Sequence, residues 1–111
     1  MYNPIVLTSE NQLNKLLRRQ KRTGEEMNIL FYSLWDKWSM ELVDAIDCRF
    51  MGDCALKPLY LVDSFNMPHS TVIFRSTKLP HLVKLNRRRT HSEDYLPRIY
   101  KSLGLMESRK S

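Results

Sequence analysis

The stretch Ile29-Leu30-Phe31-Tyr32-Ser33-Leu34-Trp35-Asp36-Lys37-Trp38-Ser39 constrains the fold more than any other. From Met27 to Tyr32 it is apolar without alternation, the pattern of a central strand covered on both faces. It then becomes a short polar turn that carries both tryptophans of the chain. A helical stripe of Leu42, Val43, Ile46 and Phe50 follows, with Glu41, Asp44 and Asp47 outside it, and ends near Gly52. Strand-to-helix turns are where α/β folds put their sites, because the helix N-terminus presents unpaired N–H groups beside the strand end. This turn holds no cysteine, no serine–histidine pair and no glycine-rich phosphate loop.

The rest of the chain reads around that stretch. Pro4 to Leu7 is a short strand, and Ser9-Glu10-Asn11-Gln12 is a capping box opening a helix from about Ser9 to Arg22. Leu13, Leu16 and Leu17 give this helix its apolar face, and Gly24 supplies the left-handed stop. Leu59 to Val62 is a second buried strand, opened by Pro58. Ser64 to Ser70 is a short link to a strand at Thr71 to Phe74, and a turn around Ser76 to Pro80 leads to another at Leu82 to Leu85. Thr90-His91-Ser92-Glu93 reads as a second capping box, opening a last helix along Leu96, Ile99 and Leu103 that Gly104 ends. Pro97, beyond the first turn of such a helix, predicts an irregular start or a kink. The order is β-α-β-α-β-β-β-α, a three-layer α/β sandwich around a mixed sheet of about five strands.

Composition narrows the function classes. The 111 residues, 42% hydrophobic, suit one small domain over residues 1–105, with 106–111 a disordered basic tail. No run approaches the roughly 18 apolar residues of a membrane span, and Met1 to Pro4 lack a signal-peptide pattern, so a soluble cytoplasmic protein is expected. The net charge is +6 and the pI about 9.6. The charge concentrates at Lys15, Arg18, Arg19, Lys21 and Arg22 and at Lys84, Arg87, Arg88 and Arg89. Such clusters suit nucleic acid or an acidic protein surface, or serve as a solvated face. Cys48 and Cys54 have neither redox nor zinc spacing and read as reduced structural thiols. His69, His81 and His91 are scattered, so neither a metal nor any other cofactor is expected.

Element order, length and motif placement resemble the thioredoxin family up to about Leu105. Asn3 to Leu13 is similar to the family's opening strand and helix cap. Phe31-Tyr32-Ser33-Leu34-Trp35 is similar to its central strand and the tryptophan before its active site. Asp36-Lys37-Trp38-Ser39 then stands where the family carries Cys-Gly-Pro-Cys. Met67-Pro68, ahead of Thr71-Val72-Ile73-Phe74, resembles the family's cis-proline loop, which implies a cis Met67–Pro68 bond. The link Ser64 to Ser70 implies that the family's third helix is shortened or missing. A compact, basic chain of this kind is also similar to thioredoxin-like proteins of large bacteriophages, an expected viral origin.

The departures decide the functional expectation. Thiol–disulfide exchange needs an attacking thiolate and a second thiol to resolve the mixed disulfide, and Asp36 and Ser39 supply neither. The family's buried acid falls at Leu30, which cannot titrate. The expectation is a non-catalytic, redox-inactive binding module, an accessory subunit that docks a protein partner through Trp35, Asp36, Lys37, Trp38, Ser39, Met67 and Pro68. Trp38 is expected to be the more exposed tryptophan, with Met67 offering main-chain hydrogen bonds in the manner of strand addition. Asp36 is expected to complement the helix N-terminus. Lys15, Arg18, Arg19, Arg22, Arg87, Arg88 and Arg89 form the basic patch for an acidic or nucleic-acid component. No membrane and no small-molecule substrate are expected. The alternatives are direct nonspecific nucleic-acid binding and a thiol-dependent oxidoreductase using Cys48 or Cys54.

Overall fold

The computed structural model describes residues 5–49, 59–73, 78–87 and 90–103. Five strands and four helices follow in the order β1 (Ile5–Leu7), α1 (Glu10–Thr23), β2 (Met27–Tyr32), α2 (Lys37–Arg49), β3 (Leu59–Asp63), α3 (Pro68–Ile73), β4 (His81–Leu85), β5 (Thr90–Glu93) and α4 (Leu96–Ser102). They build one mixed sheet, ordered β1-β3-β2-β4-β5. β3 runs parallel to both β1 and β2, and β4 runs antiparallel to β2 and β5. The three-layer α/β sandwich expected from the sequence is present.

The lack of alternation in β2, apolar except for Asn28, has the expected cause. Leu30 and Tyr32 point into one core with Leu42 and Ile46 of α2 and Ile99 and Tyr100 of α4. Met27, Ile29 and Phe31 point into the other, with Leu13 and Leu16 of α1 and with Met67. A strand buried on both faces has no polar side to alternate with. The predicted capping box at Ser9 and Gln12 closes α1 at its start, and Gly24, at φ 72°, closes it at its end.

Three expectations are corrected. The segment expected to be a strand at Thr71–Phe74 is, through Ile73, part of the helix α3. Pro68 opens it, where a missing N–H has no intrahelical partner to lose. Glu10 of α1 reaches across to accept hydrogen bonds from the backbone N–H groups of His69 and Ser70 and from the Ser70 hydroxyl. A cap from another helix thus outweighs the strand preference of Thr71-Val72-Ile73. The expected shortening of the third helix holds, since α3 has six residues.

Secondly, Thr90–Glu93 is not a helix cap but the edge strand β5, paired with β4 from Leu85–Thr90 to Leu82–Glu93. α4 starts at Leu96 instead, so Pro97 falls within its first turn and no hydrogen bond is lost there. Thirdly, the cis peptide lies at Leu79–Pro80, not at Met67–Pro68. Expectations for Pro4, Phe50, Gly52, Cys54, Arg88, Arg89, Gly104 and the tail 106–111 lie outside the described residues.

Candidate docking site and a basic face

The C-terminal ends of β2 and β3 carry the candidate site. Ser33 shapes the turn after β2: its carbonyl accepts from Asp36 N–H at 3.2 Å and its hydroxyl from Trp35 N–H at 3.1 Å. The tight turn leaves Leu34 and Trp35 with no core to enter, and Trp35 is 83% exposed against 42% for Trp38. The expected ranking of the two tryptophans is therefore reversed. Asp36 is the α2 cap, accepting from Ser39 N–H at 2.8 Å, as its place before a helix N-terminus predicts.

Trp38 follows one residue into α2, where Lys37 Nζ lies 5.5 Å from its ring centroid, a cation–π contact. The indole lines an open groove of about 260 Å³ together with Leu79, cis-Pro80, Tyr95, Leu96 and Pro97, with Lys78 and Asp94 as its charged members. The β2–β4 ladder ends at the Phe31–His81 pair, so Leu79 lies outside it. Phe65, on the β3–α3 turn, adds another exposed ring at the same end of the sheet. The turn itself is tied there by Ser64 N–H donating to the Tyr32 carbonyl at 2.9 Å.

Two residues expected at the docking surface are absent from it. Met67 is fully buried, and both its backbone groups are used internally. Its N–H donates to Asp63, and its carbonyl accepts from the Thr71 N–H and hydroxyl. Ser39 is fully buried as well, one helical turn before Leu42 on the core side of α2. Pro68 is exposed but serves as the first residue of α3. Leu79, Pro80 and Tyr95 take the places the sequence reading gave to Met67 and Pro68. The available signal was Pro80 itself, which stands directly before the strand His81–Leu85.

Asp36 caps α2, Ser39 is buried on its core side, and Leu30 is fully buried in an apolar cluster. Cys48 falls near the end of α2, roughly 18 Å from Asp36 at 1.5 Å of rise per residue. No group of three metal-ligating side chains occurs among the described residues. His81 is buried edge-on to Phe31, with neither ring nitrogen partnered among the described residues. Burial pushes this imidazole below its ordinary 6.5, against the pull of Asp94 and Glu93. Burial, assisted by the Asp63 charge, raises the Tyr32 phenol.

The basic residues gather at the other end of the sheet. Lys15, Arg18, Arg19, Lys21 and Arg22 are all exposed on α1. Arg19 pairs with Glu25 at 3.4 Å. Arg87 lies against Gly24, so close that a Cβ there would meet its Nε at 2.9 Å. Buried Gln20 fastens this junction by donating to the carbonyls of Glu25 and Asn86, each at 3.1 Å.

No protein-family model and no curated protein sequence matches the chain. Solved structures do. A Schistosoma mansoni thioredoxin superposes with a TM-score of 0.72 at 10% identity, covering 92% of this chain and 96% of that one. The germline-specific thioredoxin Deadhead of Drosophila melanogaster gives 0.66 at 13%, covering 94% and 97%. Fasciola hepatica thioredoxin gives 0.68 at 14%, covering 90% and 96%. Identity this low speaks for the fold alone: the chain has a thioredoxin-like α/β fold with a central mixed five-stranded sheet and four helices.

Proposed function

We propose that this protein is a redox-inactive thioredoxin-like module that docks an extended segment of a protein partner against Trp38, Leu79 and cis-Pro80. Trp35 and Tyr95 flank the groove as further anchors. One observation carries the reading: an open, mostly apolar groove lies beside two exposed tryptophans, and the turn between β2 and α2 carries a helix-capping Asp36 and leads to a buried Ser39, with no cysteine. Tryptophan buries a large rigid area at little entropic cost, so such a pair is a binding anchor without further chemistry. Leu79, outside the ladder, has the place from which a main chain can pair with an added strand. The role fits an accessory subunit of a larger assembly, and the compact basic chain fits a viral, bacteriophage origin. No helix among the described residues is long and apolar enough to cross a membrane.

The competing reading is thiol–disulfide exchange through Cys48 or Cys54. It has less support, because Cys48 is far from the α2 N-terminus, where the helix dipole would lower a thiol pKa. Two assays separate the readings. Panning a random peptide library should select ligands for the wild type that Trp38→Ala no longer holds, and dithiol-driven insulin reduction should stay at the uncatalysed rate. Insulin reduction that disappears with Cys48→Ser or Cys54→Ser would establish the enzyme instead.

A further inference from the structure

The α1 cluster and Arg87, about 60 residues apart in the chain, meet in the fold. α1 delivers its C-terminus to the start of β2, and β4, antiparallel to β2, delivers Asn86 and Arg87 to the same end. Arg87 packs on Gly24, and Gln20 bonds to both segments. On α1, Lys15, Arg18, Arg19 and Arg22 follow the i, i+3, i+4, i+7 spacing of a single exposed stripe. Next to it, Arg18 and Lys21 line a groove of about 370 Å³ together with Asn14, Leu17, Gln20, Leu85 and Thr90 of β5. Among the described residues, Lys15, Arg18, Lys21, Arg22 and Arg87 form no salt bridge, and the nearby Glu25 is held by Arg19.

What this face lacks selects its partner. The large exposed apolar side chains of the described residues sit on β1, at the aromatic end, on the β3–α3 turn and α3, and at Tyr95. None lies on α1 or at the junction with Arg87, where the two leucines that line the groove, Leu17 and Leu85, are half-buried and buried. A protein interface needs an apolar centre ringed by polar groups, whereas a phosphate backbone is bound by cations and hydrogen-bond donors alone. With no aromatic platform there, unstacked bases have nothing to lie on. We infer that the α1–Arg87 face binds the phosphate backbone of duplex nucleic acid without reading its sequence. The stripe from Lys15 to Arg22 spans about 10 Å, enough for adjacent phosphates, and the groove beside it offers Asn14 and Thr90 as neutral donors.

Fluorescence anisotropy with a labelled duplex DNA of about 20 base pairs tests this, read between about 50 and 200 mM salt, with poly-L-glutamate as the competing anion. The wild type should bind with affinity that falls steeply with salt. The triple variant Arg18→Ala, Lys21→Ala, Arg22→Ala should bind at least about tenfold more weakly at the lower salt, its log–log salt slope shallower by about 2 to 3. The triple lysine/arginine exchange Arg18→Lys, Lys21→Arg, Arg22→Lys keeps the charge and should keep most of the affinity. Trp38→Ala should bind DNA as the wild type does, which separates this face from the docking groove. Absent binding at the lower salt, an unaltered alanine variant, or poly-L-glutamate that competes as well as unlabelled duplex of equal charge would each overturn the inference. The last outcome would make this an acidic-protein surface.

Discussion

The two ends of the sheet, one β2 length or about 20 Å apart, are built on different principles. The aromatic end is assembled from turns, where the Ser33 turn, the Leu79–Pro80 segment and the start of α4 each contribute a residue or two. The basic end is written mainly on one helix, as the outward stripe of an amphipathic α1, and completed by Arg87. The contrast teaches that a small domain can hold two surfaces of opposite chemistry without mixing them. The large exposed rings gather at one end, whereas the arginine stripe of α1 and Arg87 reach the other; Lys37 and Lys78 are the cations beside the Trp38 groove. Docking at the aromatic end should therefore barely respond to salt, whereas binding at the basic end should respond strongly.

The largest break in this comparison should come from Trp38→Ala. Removing a hot-spot indole is expected to weaken docking of a library-selected peptide by about 2 kcal/mol, roughly 30-fold. Titration calorimetry would check this, with DNA affinity unchanged in the same variant. Next in size is Gln20→Leu, which strips both hydrogen bonds holding the Arg87 junction and leaves the Glu25 and Asn86 carbonyls without that donor. Urea unfolding should report a loss of about 1 to 3 kcal/mol, and the salt slope for DNA should become shallower as Arg87 loosens. Asp36→Ala removes the α2 cap two residues before Trp38. A loss of about 1 kcal/mol is expected, with peptide affinity reduced and DNA binding untouched.

The smallest effect is one of pH, and it belongs to the aromatic end. The folded state keeps His81 neutral, whereas the unfolded chain takes up a proton as the pH drops past the ordinary value of 6.5. Stability from this residue is therefore complete above that pH and is lost as the solution is acidified through the lower folded value. His81→Leu, with no imidazole to charge, should flatten this part of the acid dependence. Urea midpoints at about pH 5 and pH 7.5 compare the two proteins on either side of the transition.

Legibility in the sequence followed how local each cause was. The capping box at Ser9 and Gln12, the stop at Gly24, the doubly covered strand Met27–Tyr32 and the Asp36 cap all depend on neighbours within a few residues, and all could be read. α3 could not, because its cap is the Glu10 carboxylate, 59 and 60 residues away from the groups it holds. β5 could not either. Its side chains are mostly exposed, and its strand identity rests on pairing with β4 rather than on any apolar pattern of its own. Those two misreadings moved the groove wall: with a strand placed at Thr71, Pro68 looked like the loop proline, and Pro80 passed as a turn residue. The tryptophan half of the site was visible because the Ser33 turn and the α2 start are local. The other wall, Leu79, Pro80 and Tyr95, exists only once the sheet is paired.

Docking of a protein partner in the Trp38–Pro80 groove is the proposal on which the comparison of the two ends rests. Amide and indole NMR spectra of the labelled protein, titrated with a library-selected peptide, test it most directly. Shifts concentrated at Trp35, Trp38, Leu79 and Tyr95, essentially the same at low and high salt and with α1 silent, are expected. Shifts confined to α1 and Arg87 that vanish as salt is raised would contradict it.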